Sequence, residues 1–156
     1  MIDRRGFVAA GLLWTPLAAL LAACGKAEGW PEAMAPVAWD RDTCARCSMA
    51  ISDRRFAVEM RGGPNDTAFK FDDIGCAVVW IRDKASDHPW IADAATQIWV
   101  ADLSNRGADL RWLDARKAQY VASTSPMAYN FGAVAHPQAG AVDFETLRQH
   151  VLARGK

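Results

Sequence analysis

Charge of one sign is what this chain lacks most. Its 156 residues carry 18 Lys or Arg and 18 Asp or Glu, a formal net charge of zero, and so balanced a surface does not supply the basic field that neutralises nucleic-acid phosphates. A nucleic-acid partner is therefore excluded. Histidine is scarce, with His88, His136 and His150 scattered along the chain, so no cysteine-histidine pair completes a zinc site. Cysteine is scarce too: of four residues, Cys44 and Cys47 form one C-x-x-C, and there is no second such pair. The longest apolar run, from residue 7 to residue 21, is softened by Gly11, Thr15 and Pro16 and falls short of the roughly 20 apolar residues of a membrane span. The tryptophans follow no regular spacing and read as core residues, not as an aromatic platform.

That apolar run sits in an ordered set of signals. Asp3-Arg4-Arg5-Gly6-Phe7-Val8 resembles a twin-arginine export motif, and Leu21-Ala22-Ala23-Cys24 resembles a bacterial lipobox. The implied processing removes residues 1–23 and acylates the Cys24 sulfur, so the run is an address and not a span. An uncleaved N-terminal anchor is the competing reading, and both readings export the rest of the chain. Residues 24–40, with Gly25, Gly29, Pro31 and Pro36, read as a lipid tether in which Met34 is a loop residue. Residues 41–156 read as one domain, long enough to bury a core without disulfides. Loss of Arg4, Arg5 and Asp3 leaves 16 basic and 17 acidic side chains, so the balance of charge survives processing. With Cys24 taken by lipid, Cys44, Cys47 and Cys76 remain, and an odd count outside the cytoplasm points to a free or metal-held thiol.

Periodicity sets the elements. Phe56, Val58 and Met60 alternate with Ala57, Glu59 and Arg61, the pattern of a strand with one buried face. Gly62-Gly63-Pro64-Asn65-Asp66 joins it to a second strand at 67–71 as an antiparallel hairpin. Asp72 or Asp73 caps a helix whose buried stripe is Ile74, Ala77, Val78 and Ile81. Cys76 lies in that helix, where a small hydrophobe and a ligand are competing readings. Strands follow at 96–101, 111–114, 119–122 and 131–135, and Asp143 caps a final helix with Phe144, Leu147 and Val151 at helical spacing. The class is α+β, antiparallel strands with two packed helices, arranged as two similar strand-and-helix halves if the order repeats.

The chemistry concentrates in Cys44-Ala-Arg-Cys47-Ser-Met49. Thiol and thioether sulfurs are soft ligands that select soft ions such as Cu(I). In an extended backbone Cys47 and Met49 project to one side, whereas a helix separates them by roughly 200°. Cys44 joins them only if the chain turns. Four readings compete: a structural zinc site, which wants a second ligand pair; a thioredoxin-like dithiol, which wants a helix N-terminus in a βαβ unit; a Cys44–Cys47 disulfide or inert thiols; and a Cu(I) site in which methionine adds sulfur that releases no proton. Met127, in Ser125-Pro126-Met127, sits on an expected loop and is either a core residue or a third sulfur.

The lipobox, Cys47-Ser48-Met49, Phe71-Asp72-Asp73-Ile74-Gly75-Cys76, Trp112-Leu113-Asp114-Ala115 with Tyr120-Val121, and Pro126-Met127 through Phe131-Gly132-Ala133-Val134-Ala135 occur in that order. The set resembles the nitrous-oxide reductase accessory lipoproteins, the NosL family, over roughly residues 43–135. The resemblance implies a non-enzymatic, lipid-anchored periplasmic chaperone that carries Cu(I) for the copper-sulfide centre of nitrous-oxide reductase. Its partners would be that enzyme or its membrane assembly complex, and the bilayer through acylated Cys24. It implies Cys47 and Met49 as copper ligands, Met127 as the third and Cys44 as an auxiliary thiol. It also implies two similar strand-and-helix halves related to the organomercurial lyase accessory fold. Family members often have glycine where this chain has Ser48. The alternative is a thiol-disulfide protein that uses Cys44 and Cys47 to keep a periplasmic partner reduced.

Overall fold

The computed structural model describes residues 29–154; the export signal and Cys24 lie outside the described residues. Strand β1 (Val58–Gly62) pairs antiparallel with β2 (Thr67–Phe71), Val58 opposite Phe71 and Gly62 opposite Thr67. The turn between them places Gly63 and Asp66 in the left-handed region, at φ 78° and 49°, which glycine and aspartate tolerate better than most residues. Helix α1 (Ile74–Lys84) starts where Asp73 accepts the Gly75 N–H on Oδ1 at 2.8 Å, so Asp73 and not Asp72 is the cap.

A 3₁₀ turn at Pro89–Ala92 leads into β3 (Gln97–Ala101), which pairs with β1 and with β4 (Trp112–Asp114). The order β2-β1-β3-β4 is a four-stranded antiparallel sheet. Strands β5 (Gln119–Ala122) and β6 (Phe131–Val134) form a separate antiparallel pair, and α2 (Phe144–Ala153) follows, capped by Asp143. The fold is thus α+β, with two antiparallel sheets and two helices. Helix α1 touches β1 and β2 of the larger sheet and also β6 and α2, which explains why every residue from Ile74 to Trp80 is buried.

One expectation fails. Strand β1 was to have a single buried face, yet Ala57 and Glu59 on its other face are as buried as Val58 and Met60. The cause is the chain before it. Met34, read as a loop residue, and Val37 are both in the core, so this part of the stretch read as a lipid tether lies against the sheet. The Ala35 N–H donates to Glu59 Oε1 at 2.8 Å, Arg61 donates to the Ala33 carbonyl and Lys70 to the Pro36 carbonyl. Burial pushes the Glu59 carboxyl up to about 7. The same packing gathers Trp30, Trp39 and Trp112 into a partly buried stack, Trp30 and Trp112 with ring centroids 5.1 Å apart, although nothing in their spacing announces it.

Candidate metal centre

The site grows from a short loop closed on itself. Thr43 and Ala50 form an isolated antiparallel bridge, and the Cys44 N–H donates to the Met49 carbonyl at 2.8 Å. Between them the chain makes one turn through 45–47, which the Ser48 N–H closes on the Cys44 carbonyl at 2.9 Å. Ser48 is left-handed, at φ 60°. A one-turn segment that ends with such a residue and a five-to-one hydrogen bond is the αL motif, where glycine is the residue of least strain. The Ala45 N–H donates to the Lys70 carbonyl at 2.8 Å, which hangs the loop on the end of β2, next to the start of α1.

Three thiols meet there. The sulfurs of Cys44, Cys47 and Cys76 lie within 4.8 Å of one another, and none of the three is in a disulfide. The turn through 45–47 brings Cys44 back beside Cys47, and the first turn of α1 delivers Cys76 from the other side. Cys44 and Cys76 are buried while Cys47 is half-buried, so the cluster opens to solvent on the Cys47 side. Met49, two positions further, is 56% exposed, the one large hydrophobic side chain so exposed among the described residues.

The thiols are not equivalent. The Cys76 S–H donates to the Cys44 sulfur, and together with the N–H groups of Cys47, Asp72 and Arg46 this outweighs burial and draws the Cys44 thiol down to about 5. Cys76 is pushed up because its proton is committed to that bond and because it is buried. Burial raises Cys47 as well. The free cluster therefore holds one thiolate and two thiols near neutral pH. Burial, and then the charge of Cys44, lift Asp72 to about 6. Soft donors in this number suit a soft cation of low coordination number and give nothing to calcium or magnesium.

Met127 lies on the loop between β5 and β6, partly buried against the core. Its N–H donates to Asp73 Oδ2 at 3.3 Å, and Ser125 Oγ donates to the same oxygen at 2.5 Å. The helix cap next to Cys76 is thus also the fastening point of the Met127 loop. The structure brings the sulfurs of Cys44, Cys47 and Cys76 together, leaves Met49 exposed two residues after Cys47, and ties Met127 through Asp73 to the start of the helix that carries Cys76.

No protein-family model matches the chain, and neither does any curated protein. The fold is similar to that of the copper chaperone NosL from Shewanella denitrificans. The two share 18% identity at a TM-score of 0.48, over 76% of this chain and 88% of that one. At that distance the likeness decides nothing about function, which rests on this chain's own residues. Among the described residues no helix is long and apolar enough to cross a membrane. An apolar cleft of about 560 Å³ lined by Val78, Ile91, Ile98 and Phe144 includes none of the three cysteines.

Cys76 is the ligand candidate that reading the helix stripe undervalues. It is two residues past Ile74, roughly 200° round the helix from the stripe Ile74-Ala77-Val78-Ile81, and so faces away from the side that the stripe buries. A cysteine on the opposite face was the available signal. Its burial there comes from the 43–50 loop, which sequence patterning does not place.

Proposed function

We propose that this chain is a non-enzymatic Cu(I) carrier, exported and held at the periplasmic face of a bacterial membrane by lipid on Cys24, that delivers copper for assembly of the copper-sulfide centre of nitrous-oxide reductase. The observation that carries the copper reading is the convergence of three thiols within 4.8 Å with an exposed thioether two residues away. Cu(I) is a soft ion, and thiolate and thioether sulfur are the ligands that select it. Cys47 anchors the ion at the solvent side. Cys44, already a thiolate, and Cys76 hold it from beneath, and a thiol that becomes a ligand gives up its proton to solvent as the metal enters.

Met49 at the rim, and Met127 on its fastened loop, supply thioethers for exchange. A carrier must release its cargo, and an exposed neutral sulfur beside a half-buried thiolate offers an incoming partner ligand a place to attack. The recipient and the lipid rest on the ordered motifs that resemble the NosL lipoproteins.

A thiol-disulfide protein is the second reading, favoured by the lowered Cys44 thiol beside Cys47. An attacking thiolate must reach its target, and Cys44 is only 2% exposed, so the carrier reading is preferred. Anaerobic titration of the full chain with Cu(I) against a competing chelator separates them. The carrier binds one equivalent tightly, loses most affinity as Cys47→Ser, and loses less as Met49→Leu or Met127→Leu. Equal affinities across that series would place the metal elsewhere, and redox activity that needs Cys44 and Cys47 alone would favour the dithiol.

A further inference from the structure

Three half-buried tryptophans gather at β4, the edge strand of the larger sheet. Trp30 and Trp39, from the chain before β1, stack on Trp112 of β4 with ring centroids 5.1 Å and 6.5 Å from its own. The Arg54 guanidinium lies 5.0 Å from the centre of the Trp39 ring and donates to the Gly107 carbonyl. Buried Asn105 staples the two segments that carry the flanking arginines: its Nδ2 donates to the carbonyls of Arg54 and Arg111, and its Oδ1 accepts the Arg111 N–H. Segments 53–55 and 102–111 bring Arg54, Arg55, Arg106 and Arg111 against Asp53, Asp102 and Asp109. Asp53 is taken by Arg55 at 2.6 Å, whereas the Arg111 side chain is 64% exposed and no nearer than 3.9 Å to Asp102.

The chain enters the described fold at the same place. Gly29 lies against Leu110, close enough that a Cβ there would meet the Leu110 carbonyl oxygen at 2.9 Å, and Leu110 is two residues before Trp112. Gly29 follows Cys24 by five residues, a separation of at most about 18 Å when fully extended, against about 30 Å across a small domain. A chain anchored at Cys24 therefore cannot place this side opposite the bilayer. Tryptophan rings, apolar with one polar N–H, settle at the headgroup level of a membrane, and arginines beside them attract anionic headgroups.

We propose that the stack of Trp30, Trp39 and Trp112, with Arg54 and Arg111 at its margin, is a docking face for the surface of a phospholipid bilayer that carries anionic headgroups. This role rests on the membrane attachment at Cys24 proposed above and adds to it. The lipid holds the chain near the bilayer, and the tryptophans fix which side of the domain meets it. A stack that only packs the fold keeps the same surroundings whether lipid is present or not.

The test uses the full chain, expressed with its signal and reconstituted in vesicles of phosphatidylcholine, with and without an equal part of phosphatidylglycerol, whose acyl chains are brominated near the glycerol. Bromine quenches tryptophan emission only at short range. Three of the six tryptophans that follow Cys24 belong to the stack, so up to roughly half of the emission should be quenched if the stack sits at headgroup level, and more on the anionic vesicles. In Trp30→Phe/Trp39→Phe most of that quenching should be lost. Arg111→Glu keeps every fluorophore and alters an exposed side chain; it should reduce quenching on the anionic vesicles and leave it unchanged on the neutral ones. Quenching that is the same in wild type and both variants, or absent from wild type held at the membrane, would overturn the docking face and leave the anchor standing. Mass analysis reads the anchor separately. A chain that fractionates away from membranes with no lipid on Cys24 would overturn the attachment, and this role with it.

Discussion

Gly75 is the position where a single methyl group should do the most damage. In most first helical turns Gly→Ala is favourable, by up to about 1 kcal/mol, because alanine loses less backbone freedom on folding. Here the new Cβ would lie 2.0 Å, 2.3 Å and 2.5 Å from three ring carbons of Tyr129. Carbon atoms rest at about 3.5 Å or more, so the ring has to retreat by about 1.5 Å. It is fully buried, and its backbone is pinned at both ends. Overpacking of this kind costs about 1–3 kcal/mol, with the upper end expected for a ring that has no free space, so Gly75→Ala should lower stability by about 2 kcal/mol. In a Tyr129→Ala background the obstacle is gone, and the same change should raise stability by up to about 1 kcal/mol. The coupling of roughly 3 kcal/mol is the quantity to measure, by urea unfolding of the four proteins without copper. If Gly75→Ala is neutral or stabilising in both backgrounds, Tyr129 does not sit on α1 as described.

Glu59 gives a pH signature. Its carboxyl titrates near 7 when folded against 4.5 in the unfolded chain, so between those values the folded state holds a proton that the unfolded state has lost, and stability falls as pH rises through that window. Two and a half pH units correspond to at most about 3 kcal/mol. Glu59→Gln, which keeps an acceptor for the Ala35 N–H, should remove that fall and be the more stable protein above about pH 7; urea midpoints of the two proteins that run parallel from about pH 5 to pH 8 would contradict it. Cys44 contributes the opposite slope. Its folded value of about 5 lies below the ordinary 9.0, so the stability it adds is present above 9.0 and is lost as pH falls through about 5. Ultraviolet absorbance of the copper-free protein should show one thiolate at neutral pH that disappears on acidification through about 5 and is missing in Cys44→Ser. In Cys76→Ala the same transition should move to higher pH, since the main donor to Cys44 is gone.

Strands and helices were legible because this chain states its periods plainly. The alternation at Val58 and Met60, the turn formers at 62–66 and the two aspartate caps place β1, β2, α1 and α2 within a residue or two of their observed ends. What a pattern of periods does not report is which chain segment covers a face. That is why the second buried face of β1 was missed: Met34 and Val37 have no periodic neighbours to mark them as core, and the buried Glu59 between Val58 and Met60 reads as a solvent residue. The sulfur motif was legible as chemistry, and its turn was conditional on geometry that only Ser48's left-handed backbone and the Thr43–Ala50 bridge settle. Cys76 was legible only as a cysteine off the apolar stripe. Tyr129 was not legible at all, since its importance comes from a contact with Gly75 54 residues earlier, and a lone tyrosine in a loop carries no pattern.

On the proposed function one Cu(I) is held by sulfur alone, with Cys47 at its solvent side. X-ray absorption at the copper edge of the full chain, loaded anaerobically with one equivalent of Cu(I), tests it most directly. The expected result is a reduced copper ion with a shell of two or three sulfurs and no nitrogen or oxygen, a shell that loses a sulfur or fails to load in Cys47→Ser. A shell containing nitrogen or oxygen, or an unchanged sulfur shell in Cys47→Ser, would contradict it.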